Sequence, residues 1–426
     1  MDFKLHTPIG VNDRLIEEAA VKKNVCRKIE DVFLGYGYRE IESPTFEYID
    51  VFSDEKMGSI SPKEMFRFFD KDGNVLALRS DMTPPAARIA ATEIESDGPI
   101  RLCYFGNSFR NSKSYQGKRC EFAQAGVELM GAQGVYADAE AIAVSIKSIL
   151  ACSISDFKLN IGQVGFFNAV LDETGLEKDE KNQLKNFIAS RNYAEAEGFI
   201  KSKNMPEKTK RLFLEFPKLV GGTEILDYTR GLTESTEALK ALDELETLYN
   251  VLILHGVSKY ISFDLSMVNK LNYYTGIIFR GYTYGTGYSI VDGGRYDNLV
   301  KQFGKNIPAV GFGIKIDEVI SVLMKNGVDF SKDEVKAMIG FSGPGLASAI
   351  KIAEVYRKGG VKVENSLVGP DLEENISYML SKGYESLIFF KDAINITYVR
   401  STEDMGVLKS EIKVSDLVFP ERRADK

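Results

Sequence analysis

Apolar residues recur at three- and four-residue spacing from 14 to 35 (Leu15, Ala19, Val25, Ile29, Val32, Phe33), which predicts an amphipathic helix. An extended stretch follows over 38–52, where Pro44 interrupts any helix. Strand-like runs come next at 65–70 (MFRFFD), 75–80 (VLALRS) and 100–110 (IRLCYFGNSFR). In 121–131 (EFAQAGVELMG) the period is two: Phe122, Gln124, Gly126 and Glu128 share one face, Ala123, Ala125 and Val127 the other. Residues 137–151 read as a helix, and 165–260, rich in Lys, Glu, Leu and Ala, as a helical insertion. Strand patterns return over 261–316, with turn glycines at Gly281, Gly285 and Gly287. After a linker near 325–334, residues 336–418 alternate apolar runs with helical segments in the order β–α–β–α–β, which implies some parallel pairing.

A chain of 426 residues is too long for one core and implies two or three domains, here 1–325 and 335–426. With 44% hydrophobic and 27% charged residues the composition is that of a globular protein. No apolar run is long enough to span a bilayer, and the charged first twenty residues argue against a secretory leader, so a cytoplasmic protein is expected. The net charge of -7 gives no general attraction to nucleic-acid backbones. Four scattered cysteines without a CxxC argue against zinc, and the two histidines, His6 and His255, lie outside every candidate site, so no metal and no cofactor are expected.

The candidate chemistry sits in short segments that each admit a plain structural reading. In LRSDMTPPAARIAA (78–91) a strand runs into Pro84–Pro85 and a small-residue helix; Thr83 suits its N-cap, with Asp81 at the positive helix end. Capping alone would explain both. The polar face of 121–131 reads either as solvent-facing or as ligand-facing, with Gly126 leaving room for a ligand. Tyr273 and Tyr274 point to opposite strand faces, so one of them lines a given site. Arg295 in GGRYD (293–297) reads as an ion-pair former.

Taken together and in order, LRSDMT, YFGNSFR, EFAQAGVE, LNYYTG, GGRYDNL and PAVGFGI resemble the histidyl-tRNA synthetase family over nearly the whole chain. The resemblance implies an α+β fold: a class II synthetase-like antiparallel sheet flanked by helices, a helical insertion at about 165–260, and a small C-terminal α/β domain like an anticodon-binding domain. It also implies a histidine site made of Asp81, Thr83, Arg110, Gln124, Glu128, Tyr273 and Tyr274. In that family Asp81, Thr83 and Gln124 would hold the α-ammonium, while Glu128 and Tyr274 would address the imidazole. A cation wants a carboxylate and neutral acceptors, and an imidazole wants a carboxyl or hydroxyl partner in a dry site.

Three departures from the synthetase pattern separate the chain from an enzyme. Ser112 stands where a glutamate reads adenine, Asn269 where the catalytic arginine lies, and Glu318 where an arginine clamps the nucleotide. A carboxylate ~4 Å from a phosphate charge is unfavourable by about 1 kcal/mol in water and about 4 kcal/mol at an effective dielectric near 20. No catalytic residues are therefore expected. The segments 161–176 and 214–230, with DMTP at 81–84, are similar instead to the regulatory subunits of short-form ATP phosphoribosyltransferase. That resemblance implies a non-catalytic chain that activates the catalytic subunit of the first step of histidine biosynthesis and carries feedback inhibition by histidine. A homodimer within a hetero-oligomer is implied as well. The alternative is a divergent histidyl-tRNA synthetase that forms histidyl-adenylate. The balanced charges of 336–426 disfavour tRNA binding and leave that domain an interaction or vestigial role.

Overall fold

The computed structural model describes residues 3–53, 61–111, 119–268, 274–328, 335, 337–402 and 406–417. Ser112, Asn269 and Tyr273 lie outside the described residues. The chain divides into two compact units, Met1–Val328 and Asp329–Lys426. Among the described residues no helix is long and apolar enough to cross a membrane.

The strands of the first unit are β1 Arg39–Glu40, β2 Phe46–Tyr48, β3 Arg67–Phe69, β4 Val75–Leu78, β5 Ile100–Phe109, β6 Glu121–Met130, β7 Phe157–Gln163, β8 Val220–Gly221, β9 Ile261–Asp264, β10 Ile277–Thr283, β11 Val291–Arg295 and β12 Ala309–Lys315. Nine of them form one sheet in the order β1-β5-β6-β12-β11-β10-β7-β9-β8, and β2-β4-β3 form a small second sheet. The large sheet is antiparallel except for the pairs β1–β5 and β7–β9. The helices are α1 Ile16–Gly35, α2 Asp50–Ser53, α3 Thr83–Thr92, α4 Val135–Ala151, α5 Val164–Asp172, α6 Lys178–Ala189, α7 Tyr193–Ser202, α8 Glu207–Glu215, α9 Glu224–Arg230, α10 Thr236–Leu254 and α11 Ile316–Lys325.

The period-two pattern of β6 decides which of its side chains meet the helices α1, α4 and α11. Ala123, Ala125 and Val127 are buried on the face covered by α1, α4 and α11. There Phe33, on the buried stripe Val21–Val25–Ile29–Phe33 of α1, meets the rings of Phe105 and Phe312 at 5.8 and 5.9 Å. Burying each such side chain contributes about 1.5–3 kcal/mol. The opposite face of β6, with Gln124 and Glu128, is left for the site. Helix α1 begins at Ile16, and Leu15 is its exposed N-cap rather than part of the buried stripe.

Helices α5 to α10 lie between β7 and β9 in sequence, so β7 and its partner β10 are joined in register across more than a hundred residues. The insertion is helical apart from the two-residue strand β8, which extends the sheet edge against β9.

In the second unit, β13 Ala337–Phe341, β14 Val363–Asn365, β15 Ser386–Phe390, β16 Asn395–Ser401 and β17 Val407–Lys413 form a sheet in the order β14-β13-β15-β16-β17. Helix α12 (Leu346–Lys358) packs on Ile339, Ile388 and Phe390, and α13 (Leu372–Ser381) on Met338, Leu387 and Phe389. β13 pairs in parallel with β14 and β15, as the β–α–β–α–β order implies. The antiparallel strands β16 and β17 then extend it.

Candidate functional site

A cavity of about 440 Å³ opens on the face of the large sheet opposite α1, α4 and α11, beside the start of α3, whose Ala86, Ala87 and Ala90 pack on Leu102 and Tyr104 of the same face. Asp81, Thr83, Arg110, Gln124 and Tyr274 line it. Glu128 does not: only 1% exposed, it lies behind the wall and reaches the cavity through Thr83 and Tyr296, which do line it.

Cross-strand glycines make room for these side chains. β12 places Gly311 opposite Glu128 and Gly313 opposite Gly126. A Cβ at Gly311 would lie 1.8 Å from Glu128 Oε2, and one at Gly313 would lie 2.0 Å from Gln124 Nε2. One at Gly294 would lie 2.6 Å from the Tyr274 ring. The GFG and GG runs are thus the empty halves of a cradle whose filled halves are Glu128, Gln124 and Tyr274. Gly126 works differently from the expectation: a Cβ there would meet the Tyr104 hydroxyl at 2.5 Å and Phe312 O at 2.4 Å. Its missing side chain makes way for Tyr104, not for a ligand.

The turn into α3 also departs from the sequence reading. Thr83 is the first helical residue, not a side-chain N-cap. The backbone N–H of Thr83 donates to Asp81 Oδ1 at 3.1 Å, and its hydroxyl donates to Glu128 Oε1 at 2.8 Å. The carboxylate does the capping, and the hydroxyl is turned toward the site. Below the turn, buried Arg79 donates to Ser43 O at 2.6 Å and Asn107 O at 2.7 Å, fixing the backbone that carries Asp81.

Glu128 accepts from Thr83, from Tyr104 at 3.1 Å and from Tyr296. Burial pushes its carboxyl up to about 8, against the pull of those hydroxyls, so it carries a proton at neutral pH. The folded-state value lies above the unfolded one near 4.5. The protonated group therefore favours the fold most below about 4.5, and that contribution is lost as the pH rises through about 8. Thermal unfolding followed from pH 5 to 9 is expected to show the melting temperature falling over this window. Glu128→Gln, which cannot ionise, should flatten the slope; an equal slope would assign it to other groups.

The far wall was not identified from sequence. Arg280 stands opposite Asp292 across β10 and β11, with Nε 3.5 Å from Asp292 Oδ1. Lys315 Nζ lies 2.6 Å from Asp292 Oδ2 and donates to Ser289 Oγ at 2.7 Å. Burial opposes ionisation of Asp292, but Lys315 and Arg280 overcome it and hold the carboxyl below its ordinary value. The signals were present: Arg280 interrupts the apolar run IIF, and Lys315 ends the alternation Gly311, Gly313.

Arg110, Arg295 and Glu318 take three different roles. Arg110 reaches Asp81 Oδ2 at 3.8 Å, donates from Nε to Ser80 O at 3.1 Å and lies over the Phe122 ring at 5.3 Å. With 42% of its side chain exposed, it presents a charge to the cavity. Arg295 by contrast is a buried structural cation, donating to Asp138 Oδ1 at 2.8 Å and Asp297 Oδ1 at 3.0 Å. Glu318 accepts from the Thr286 hydroxyl at 2.5 Å.

Residues 10–319 match the histidyl-tRNA synthetase family. The chain is 40% identical over 419 residues to an ATP phosphoribosyltransferase regulatory subunit of Acetivibrio thermocellus, covering 98% of this chain and 99% of that one. It is 35% identical over 396 residues to a protein of that name from Ruminiclostridium cellulolyticum, covering 93% and 94%. A crystal structure described as an ATP phosphoribosyltransferase regulatory subunit/histidyl-tRNA synthetase from Bacillus halodurans superposes with a TM-score of 0.81 at 33% identity, covering 92% of this chain and 99% of that one. A histidyl-tRNA synthetase from a Nostoc species shares the fold, with a TM-score of 0.79 at 21% identity and coverage of 95% and 96%.

Proposed function

The chain belongs to the family of ATP phosphoribosyltransferase regulatory subunits built on the histidyl-tRNA synthetase fold, and we propose that it binds histidine in this cavity as an allosteric effector. The observation that carries the reading is the pairing of Asp81 with Arg110 at 3.8 Å beside Gln124 and Thr83. A carboxylate and a guanidinium at that spacing complement the two ends of one amino-acid zwitterion. The α-ammonium goes to Asp81, Thr83 and Gln124, the α-carboxylate to Arg110, and the imidazole toward Tyr274 and the hydroxyls held by Glu128. Tyr273 belongs to the same proposed set.

The chain acts as a non-catalytic partner of the phosphoribosyltransferase catalytic subunit, as a homodimer within a hetero-oligomer. It activates that subunit, and bound histidine turns the activation down by favouring one arrangement of the assembly. Glu318, engaged with Thr286, offers no cation to a triphosphate, which supports the non-catalytic reading. In the second unit Lys391 and Lys409 pair with Glu411 and Glu373, and acidic and basic residues balance over 336–426, which offers no basic stripe to an RNA backbone and leaves the unit an interaction or vestigial role.

The test uses the chain mixed with its catalytic partner. Histidine is expected to inhibit phosphoribosyl transfer, and Asp81→Asn to raise the histidine needed by about tenfold or more, as for loss of one charge-assisted contact. Size-exclusion chromatography should show the assembly intact. Robust pyrophosphate exchange by the chain alone with histidine and ATP would establish the synthetase alternative instead.

A further inference from the structure

We propose that the same cavity takes a second ligand beside the amino acid, a small molecule bearing one phosphate-type oxyanion, held by Lys315 and Arg280. The inference rests on assigning the amino acid to the Asp81–Arg110 end, because that assignment leaves the Lys315–Arg280 wall unused.

That wall has an excess of positive charge. Asp292 is the one carboxylate facing two cations, with Lys315 at 2.6 Å and Arg280 at 3.5 Å. Among the described residues Asp292 is the sole ionic partner of Arg280. An ammonium has three N–H donors and a guanidinium five. Lys315 spends one on Asp292 and one on Ser289, and the Arg280 fork remains largely open. A phosphate group, with three acceptor oxygens, matches what is left over. Repulsion from Asp292 is outweighed by attraction to two cations at similar range. The position is fixed by backbone register, since Lys315 stands opposite Gln124, and Arg280 opposite Asp292. The oxyanion would thus lie next to the amino-acid end.

The other side of the wall limits the size of the anion. Thr286 donates to Glu318 at 2.5 Å and accepts from the Tyr288 backbone at 3.1 Å, placing a carboxylate beside the cavity-lining Tyr288. A single phosphate on Lys315 and Arg280 needs no contact there, whereas a triphosphate chain extended past Tyr288 would approach that carboxylate.

Calorimetry on the full-length, histidine-saturated chain tests the proposal with inorganic phosphate, AMP and ATP as probes. Phosphate or AMP is expected to bind at one site; AMP tighter than phosphate would identify a nucleotide as the source, and equal affinity a free phosphate. ATP should bind about tenfold more weakly than AMP. Lys315→Met should weaken the anion about tenfold or more while leaving histidine affinity within about twofold. Asp292→Asn, which removes the competing carboxylate, should strengthen it. Weakening by both variants alike would show a merely structural cluster and overturn the proposal, as would ATP binding as tightly as AMP. Histidine binding without phosphate or AMP binding would overturn this inference alone. Anion binding without histidine binding would leave the anion site standing and remove the amino-acid assignment.

Discussion

Glu128→Ala is expected to lower histidine affinity about a hundredfold and to destabilise the fold by about 2–4 kcal/mol. The argument starts from three hydroxyls, those of Thr83, Tyr104 and Tyr296, which converge on one buried carboxyl. Alanine removes the acceptor these hydroxyls share, and a buried group that loses its partner costs about 1–3 kcal/mol unless water enters. Two of the three, Thr83 and Tyr296, line the cavity, so the ligand meets hydroxyls that are no longer aimed. Losing about 1–1.5 kcal/mol at each contact accounts for the hundredfold. Glu128→Gln should behave far more mildly at neutral pH, because an amide imitates the protonated carboxyl that burial already enforces there. Calorimetry on the folded variants, with thermal unfolding alongside, measures both effects. A folded Glu128→Ala protein with unchanged affinity would place histidine outside this cavity.

Why the sequence disclosed some of this and hid the rest has a physical basis. The alternation at 121–131 was readable because a strand's period of two is a local property, and it separated the face of β6 packed on α1, α4 and α11 from its site face. Helix α1 was readable for the same reason at period 3.6. The strand Phe157–Gln163 was missed, since its pairing with Ile277–Thr283 is decided across the insertion and not by its own residues. The hairpin Asn395–Ser401 and Val407–Lys413 was also missed; the latter strand is mostly exposed and carries little apolar signal. In the site, the residue types were legible but their partners were not. Thr83 beside two prolines looks like a cap until the register of β6 brings Glu128 within reach of its hydroxyl. Gly126 looks like space for a ligand until Tyr104, opposite it on β5, fills that space. Asp292, Arg280 and Lys315 come from three strands, and only sheet order brings them together.

Arg295→Leu is expected to cost about 3–5 kcal/mol in stability at pH 8, the usual consequence of removing one partner of a buried ion pair. Arg295 is 7% exposed and bonds both Asp138 and Asp297. Burial raises the Asp138 carboxyl to about 6 even with Arg295 beside it; without that cation the value should climb further. Because the folded value exceeds the unfolded one near 3.8, the penalty is absent at low pH and grows as the pH rises through the folded value. Urea unfolding should therefore show the variant closest to the parent near pH 5 and furthest from it at pH 8. The damage should also reach the site. Thr275 N donates to Arg295 O at 2.8 Å, which holds the chain next to Tyr274, and Tyr274 packs over Gly294. Replacing both partners, Arg295→Leu with Asp138→Leu, removes the stranded charge and should recover most of the stability, since an apolar pair of similar volume is often no worse than a buried ion pair. Recovery in the double variant would establish that the single variant fails by stranding a charge. A cost below about 1 kcal/mol for Arg295→Leu alone would show the pair to be dispensable and free Arg295 for a role at the cavity.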